Sequence, residues 1–414
     1  MKIKVIKKNN RISLSDDDIN EIERIIKFDK HGKYYSKGRT CYYHLITPIN
    51  INNTLYSYVK LKGCGCYESD KLFIKPGEKS FIRRDPHFGI DELGYPKMAF
   101  SDIAPYGGIL LDRAINEYNN FDILNQNSVS SLIPMYVYKY DEIKFSNKEL
   151  GVSISLCEDT EPLRMDKLLY TNELMPKEYK DYYKKIFELE FLTKTNLDLN
   201  DKERLIKRIA YYYGSEIRKF CNSGLYIHSG GWSNIQYSFK NKNVVLIDLD
   251  SSRKNNNESL ELLLNCRDLV SNIYRLFINL YNPNCIKDYT ENEIRKTNYI
   301  FFILKGFFKN ICDSKLLFVS NNINDYYINN CFNRIKSIEK IMLNMTDEDA
   351  REYELDIMSF YDYCMNEISN LLYEERNLNI YNDEKFVRYK RRWEQWIKLK
   401  KELFYLVLIA KIYL

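Results

Sequence analysis

The chain has 414 residues, enough for two domains or one large elaborated one, and is 45% hydrophobic and 14% aromatic, which excludes a disordered chain. Its 62 basic and 57 acidic side chains leave a net charge of only +5, so a strong global field for nucleic acid is excluded and any polyanion site must be local. Ten cysteines are scattered, and no basic stretch followed by an apolar run opens the chain, so reduced thiols and a cytoplasmic location are expected.

Up to about Val59, aromatic and β-branched runs such as "TCYYHLITPI" and "TLYSYVKLKG" predict strands. From Tyr67 to Gly108 frequent Gly and Pro deny long helices and strands, so a long loop or insertion is expected, with Lys75, Lys79, Arg83 and Arg84 concentrated in it. Cys64 and Cys66 have the one suggestive metal spacing, but no second Cys or His pair stands near them, so tetrahedral zinc is not expected. A helix follows Gly108, with apolar positions at Ile109, Leu110, Ala114, Ile115, Tyr118 and Phe121. Next come two strands, "LIPMYVYKYDEI" and "LGVSISLCED", the second apolar enough to be buried.

Helical material runs to Cys221, including "DKERLIKRIAYYYGSEIRKF", and helices dominate again from Glu258 onwards. Between them "LYIHSGGWSNIQYSFKNKNVVLIDLDSSR" reads as a short hairpin with Asn234 at one edge and Asp248 and Asp250 at the other. The order predicts an α+β fold with a sheet-rich N-lobe and a helical C-lobe. Provisional bounds are 1–150 for the N-lobe with an insertion at about 67–108, 151–280 for the C-lobe, and 281–414 for a helical extension. The final apolar run, Leu403 to Leu414, is too short for a membrane span and is interrupted by Lys411, so a buried terminal helix is expected.

An Asn and an Asp at the ends of paired strands can offer two oxygen ligands to one divalent cation, and magnesium commonly takes few protein ligands plus substrate phosphates. With Asn234 and Asp248 14 residues apart, the hairpin resembles the catalytic and metal loops of the protein-kinase-like superfamily, which includes protein kinases, aminoglycoside phosphotransferase-type kinases and selenoprotein O. The resemblance covers roughly residues 30 to 280 and rests on the order of short motifs. It implies a bilobal protein-kinase-like fold, ATP as nucleotide, Mg2+ at Asn234, Asp248 and Asp250, and transfer of a phosphoryl or adenylyl group. Lys62, in "KLKGCG", is similar to the strand lysine that meets the phosphates, with Lys60 on the same strand face as its competitor. Glu117 is similar to the helix glutamate that pairs with it, and Arg113, one turn earlier, would face the same cleft. "HGKYYSKGRT", with Gly32, Ser36, Gly38 and Arg39, falls where a phosphate loop belongs, without a strict GxGxxG spacing. "SISLCED" would be the hinge, bringing Glu158 to the nucleotide, and His228 would support the catalytic loop beside it.

The departure lies in the base. Ser229 or Gly230 occupies the place of the catalytic Asp, and Ser233 precedes Asn234 where selenoprotein O has an acid, leaving Asp250 as the nearest substitute. A protein or peptide acceptor is favoured over a small molecule because the basic insertion and the extra helices offer surface. Two rivals stand beside this reading: a pseudokinase acting as a nucleotide-binding scaffold, and a polyanion- or membrane-surface protein using the basic, aromatic stretch Lys385 to Phe404, whose plain alternative is an amphipathic packing helix. Taken singly, Asn234 and the Asp pair could cap turns, and Lys62 and Glu117 could be surface charges.

Overall fold

A computed structural model describes residues 1–34, 39–69, 72–82, 87–90, 96–99, 103–158, 162–170, 175–228, 231–280, 290–332 and 347–413. The N-terminal part is built on an antiparallel sheet of β1 (Ile3–Lys8), β2 (Thr40–Ile51), β3 (Thr54–Lys62), a short β10 (Ile109–Leu110), β11 (Ile133–Phe145) and β12 (Lys148–Glu158). Its order is β1-β11-β12-β3-β2, with β10 beside β12. Side chains alternate across such a sheet, and here the alternation separates two tasks. Cys41, Tyr43, Val59, Leu61, Val152 and Ile154 turn to one side and form a core with Ile22, Ile25 and Ile26 of helix α1 (Asp16–Ile26). Their neighbours Tyr42, Lys60, Lys62, Ser153 and Ser155 are also buried, but lie on the opposite face.

That second face is covered by helix α2 (Leu111–Gln126), which buries Ala114, Glu117, Asn120, Phe121 and Leu124. Between β3 and β10 the expected insertion does contain strands, all of three or four residues: β4 (Cys66–Ser69) with β5 (Leu72–Ile74), β6 (Ser80–Ile82) with β9 (Ile103–Pro105), and β7 (His87–Ile90) with β8 (Pro96–Ala99). Gly and Pro limit the length of these pairs rather than preventing them. The two ends of the excursion meet where Gly65 N donates to Gly107 O at 2.9 Å, with both glycines at positive φ.

The C-terminal part is helical: α3 (Lys177–Phe191), α4 (Leu199–Asn222), α5 (Glu261–Leu280), α6 (Glu291–Thr297), α7 (Tyr299–Phe307), α8 (Asp313–Asn330), α9 (Asp347–Glu375) and α10 (Glu384–Tyr413). Two small strand pairs interrupt it, β13 (Leu225–Tyr226) with β16 (Arg253–Lys254), and β14 (Ile235–Ser238) with β15 (Asn243–Leu246). The α+β plan of a sheet-rich half followed by a helical half is therefore observed. Helices α4 and α7 cross at backbone contact, since a Cβ on Gly214 would lie 2.0 Å from Ile303 O and one on Gly306 would lie 2.0 Å from Tyr211 O. In α10 Phe386, Tyr389 and Trp393 are buried, and Trp393 Nε1 donates to Met358 O of α9 at 3.1 Å, so this stretch packs as an amphipathic helix. Among the described residues no helix is long and apolar enough to cross a membrane.

Candidate functional site

Lys60 and Lys62 stand on the α2 side of β3 because they occupy alternate positions of one strand. Both are 2% exposed, and two lysines so deep require acidic partners. Glu117 supplies one: its carboxylate lies 3.1 Å from Lys62 Nζ and 3.4 Å from Lys60 Nζ, and it also accepts from the hydroxyl of Ser153, the residue opposite Lys62 in β12. Lys62 alone reaches across to the helical half, pairing with Asp248 and lying 3.2 Å from Asp250.

The β14 and β15 hairpin brings those acids there. Ile235 pairs with Leu246, and Ile247 N donates to Asn234 O at 3.0 Å, so Asn234 and Asp248 emerge side by side from the hairpin's open end. Asp248 has φ 65, a left-handed conformation that Asp tolerates better than most residues and that ends the strand. Asp250, 4% exposed, also receives Arg39 Nη2 at 2.7 Å. Upstream, Ile227 sits at φ 64, a strained setting for a β-branched residue. It is held by its N–H donating to both Asp268 oxygens at 3.1 and 2.9 Å and by Ser252 Oγ donating to its carbonyl at 2.9 Å.

Charge sets the protonation of this cluster. Burial alone would raise the Asp248 and Asp250 carboxyls, but Lys62 and Arg39 outweigh it at both, with Lys60 and Arg164 added at Asp248 and Arg113 at Asp250. Both are held below the usual carboxylate range, Asp248 well below it. Burial likewise works against the Lys62 ammonium, yet Asp248, Asp250 and Glu117 raise its pKa. Lys60 goes the other way, lowered by burial that Glu117 only partly offsets. Five basic side chains, Arg39, Lys60, Lys62, Arg113 and Arg164, thus act on three carboxylates, Glu117, Asp248 and Asp250. Asp166 adds a fourth carboxylate beside Arg164, so the cluster is a dense network of opposite charges.

The remaining expected residues divide. Arg39 and Arg113 join the cluster through Asp250. Gly38, with Ser229 and Gly230, lies outside the described residues, although the loop carrying it is closed by Lys33 and Tyr42, whose N–H and C=O groups exchange bonds of 2.8 Å. Glu158 goes elsewhere: its carboxylate accepts from Ser238 Oγ of β14, tying the end of the sheet to the hairpin, and burial raises its pKa. Most of the expected hinge, Ser153 to Leu156, is strand paired with β3 and β11, and only Cys157 and Glu158 run past the end of β11. His228 is buried with Nδ1 3.4 Å from both Tyr213 Oη and Asn272 Oδ1, and burial lowers its pKa to about 4 although the Asn272 contact opposes this, so the imidazole is neutral. In the insertion Lys79 pairs with Glu68 at 2.6 Å on the exposed surface and Lys75 lies over the Phe28 ring, while Arg83 and Arg84 fall outside the described residues. Four contributors escaped the sequence reading: Ser153, Arg164, and Asn116 and Asn120 of α2, whose amides donate to the Leu249–Ser252 segment. Ser153 and the asparagines carried a signal, since Ser153 occupies the same sheet face as Lys62 and Asn116 immediately precedes Glu117.

No family model matches the chain, and no curated protein matches it. Solved structures do match, among them one described as WaaP in complex with acyl carrier protein, 9% identical, covering 78% of this chain and 98% of that chain with a TM-score of 0.32. A likeness this distant carries no argument about residues or function.

Proposed function

We propose that the protein is a Mg2+- and ATP-dependent transferase of protein-kinase-like fold, moving a phosphoryl or adenylyl group to a protein, peptide or small-molecule acceptor. The observation that supports this most directly is the buried ion-pair cluster spanning both halves, in which Lys62 meets Glu117 on one side and Asp248 and Asp250 on the other. Arg39, Lys62, Arg113 and Arg164 around Asp248 and Asp250 offer charged donors that suit the phosphates of a nucleotide triphosphate. Asn234, Asp248 and Asp250 offer the hard oxygen donors that Mg2+ takes. Among the described residues no three His, Cys, Asp or Glu side chains are grouped to hold a metal by themselves, so phosphate oxygens would complete the set. Bound Mg2+ would neutralise charge on the phosphates; Lys62 would orient them, and Glu117 with Ser153 would orient Lys62.

A pseudokinase is the second reading, favoured by the absence of any acid between His228 and Asn234. ATP labelled separately at the α- and γ-phosphates, incubated with Mg2+ and a lysate of the protein's own source, decides between them. Label from γ that disappears in Asp248→Ala indicates a kinase, and label from α an adenylyl transferase. Binding of ATP with neither label transferred indicates the pseudokinase, and no binding overturns both.

A further inference from the structure

Two asparagines of α2, one turn apart and flanking Glu117, end on main-chain carbonyls of the segment carrying Asp250. Asn116 Nδ2 donates to Asp250 O at 3.0 Å and Ser252 O at 2.7 Å, and Asn120 Nδ2 donates to Leu249 O and Ser252 O, both at 2.9 Å. Each amide spends both hydrogens on the loop. A carbonyl can only accept, so the orientation of both amides follows from chemistry. Asn120 is 3% exposed, which removes its bonds from competition with water. From Ser252 the network continues through its hydroxyl to Ile227 O, and from Ile227 N to Asp268 of α5. Direct hydrogen bonds therefore run from the helix that holds Lys62 to the residue before His228.

Apolar packing could hold α2 here without orienting anything. Amides cost desolvation, and what they add is direction. With the carbonyls of Leu249, Asp250 and Ser252 turned to α2, the Asp248 and Asp250 carboxylates meet Lys62 and Arg39. We propose that Asn116 and Asn120 are positioning residues that clamp the Leu249–Ser252 turn to α2, so that Glu117, Lys62 and the two aspartates are set as one unit. A shift of α2 is then passed directly to the acids. The clamp itself stands on the hydrogen bonds; its bearing on metal binding rests on the transferase reading above.

Isosteric Asn116→Asp and Asn120→Asp keep the shape but cannot donate. Asn125→Asp is the control, because Asn125 on the same helix donates to Phe121 O and Leu132 O, away from the loop. Hydrogen exchange of the full chain, without ligand, is expected to speed up by about tenfold or more at 249–252 in the first two and to stay unchanged there in the control. Unchanged exchange at 249–252 in the clamp variants, an equal rise in Asn125→Asp, or a rise spread evenly over α4 and α5 overturns the clamp. Asn116, only half-buried, supplies the variant that keeps the fold if Asn120→Asp does not. In a second arm, the Mg2+ concentration needed for ATP binding is expected to increase about tenfold in the clamp variants, with metal-free ATP binding altered less. If the unaltered protein binds no Mg-ATP, the transferase reading fails, while the exchange arm still decides the clamp.

Discussion

The ammonium of Lys62 stands 3.2 Å from the carboxylate of Asp250, joining a strand of the sheet to a loop of the helical half in one buried ion pair. Removing one member of such a pair leaves its partners charged and unpaired. Lys62→Met, which takes from Asp248 the lysine it pairs with while Asp250 keeps Arg39 and Glu117 keeps Lys60 and Ser153, is expected to cost about 3 kcal/mol in urea unfolding. Lys60→Met, which gives up a contact of 3.4 Å from a lysine whose charge burial already disfavours, is expected to cost about 1 kcal/mol or less. Equal losses would mean that the two lysines share the role.

His228 makes part of the protein's stability acid-sensitive. The folded chain holds its imidazole neutral down to about pH 4, whereas the unfolded chain protonates it near its ordinary 6.5. The unfolded state therefore binds more protons between those values, and stability falls as pH drops through that window, by about 3 kcal/mol at most. Asp268, raised by burial to about 6, acts in the opposite sense because its folded form takes up a proton first. The difference between the unaltered protein and His228→Gln therefore carries the test. The stability of the unaltered protein relative to the variant is expected to fall as pH drops from 6.5 to 4, while the variant, left with Asp268, gains stability over part of that range.

The α4 and α7 crossing should tolerate no side chain on either glycine. Gly214→Ala or Gly306→Ala places a methyl 2.0 Å from a backbone oxygen of the other helix, and neither oxygen can move without moving its helix. A loss of about 3 kcal/mol or more is expected, read as a lower urea midpoint for the whole chain. A shift confined to α7 would show that the crossing is local.

Magnesium and nucleotide should load together. Asp248 and Asp250 are already paired with Lys62 and Arg39, so the cation alone must displace buried ammonium and guanidinium groups. Mg2+ without ATP is expected to leave the melting temperature unchanged, while Mg-ATP raises it. A rise with Mg2+ alone would indicate a metal site complete in protein ligands.

Much of this arrangement was legible from local pattern. Alternation placed Lys60 and Lys62 on one strand face, and the helical spacing after Gly108 placed α2 where Glu117 could meet them, although Ile109 and Leu110, expected in that helix, pair with β12 as β10. The hairpin with Asn234 and Asp248 at its open end followed from two apolar runs around a polar turn. What pattern could not supply was partnership across distance. Nothing adjacent in the chain links Glu158 to Ser238, Arg39 to Asp250, or Asn120 to Leu249, because such bonds depend on how the two halves are packed. The short strand pairs of the insertion were not legible for a related reason: three or four residues are too few for alternation to register.

The meeting of Gly65 and Gly107 closes the insertion at its neck, while Phe73 and Lys75 within it pack on Phe28. The chain leaves the end of β3 and returns to the same spot before β10, so nothing in the sheet's register depends on how long the detour is. Lengthening it costs only slowly growing closure entropy. Lys62 and α2, on either side of the junction, can therefore keep their places when the detour changes length.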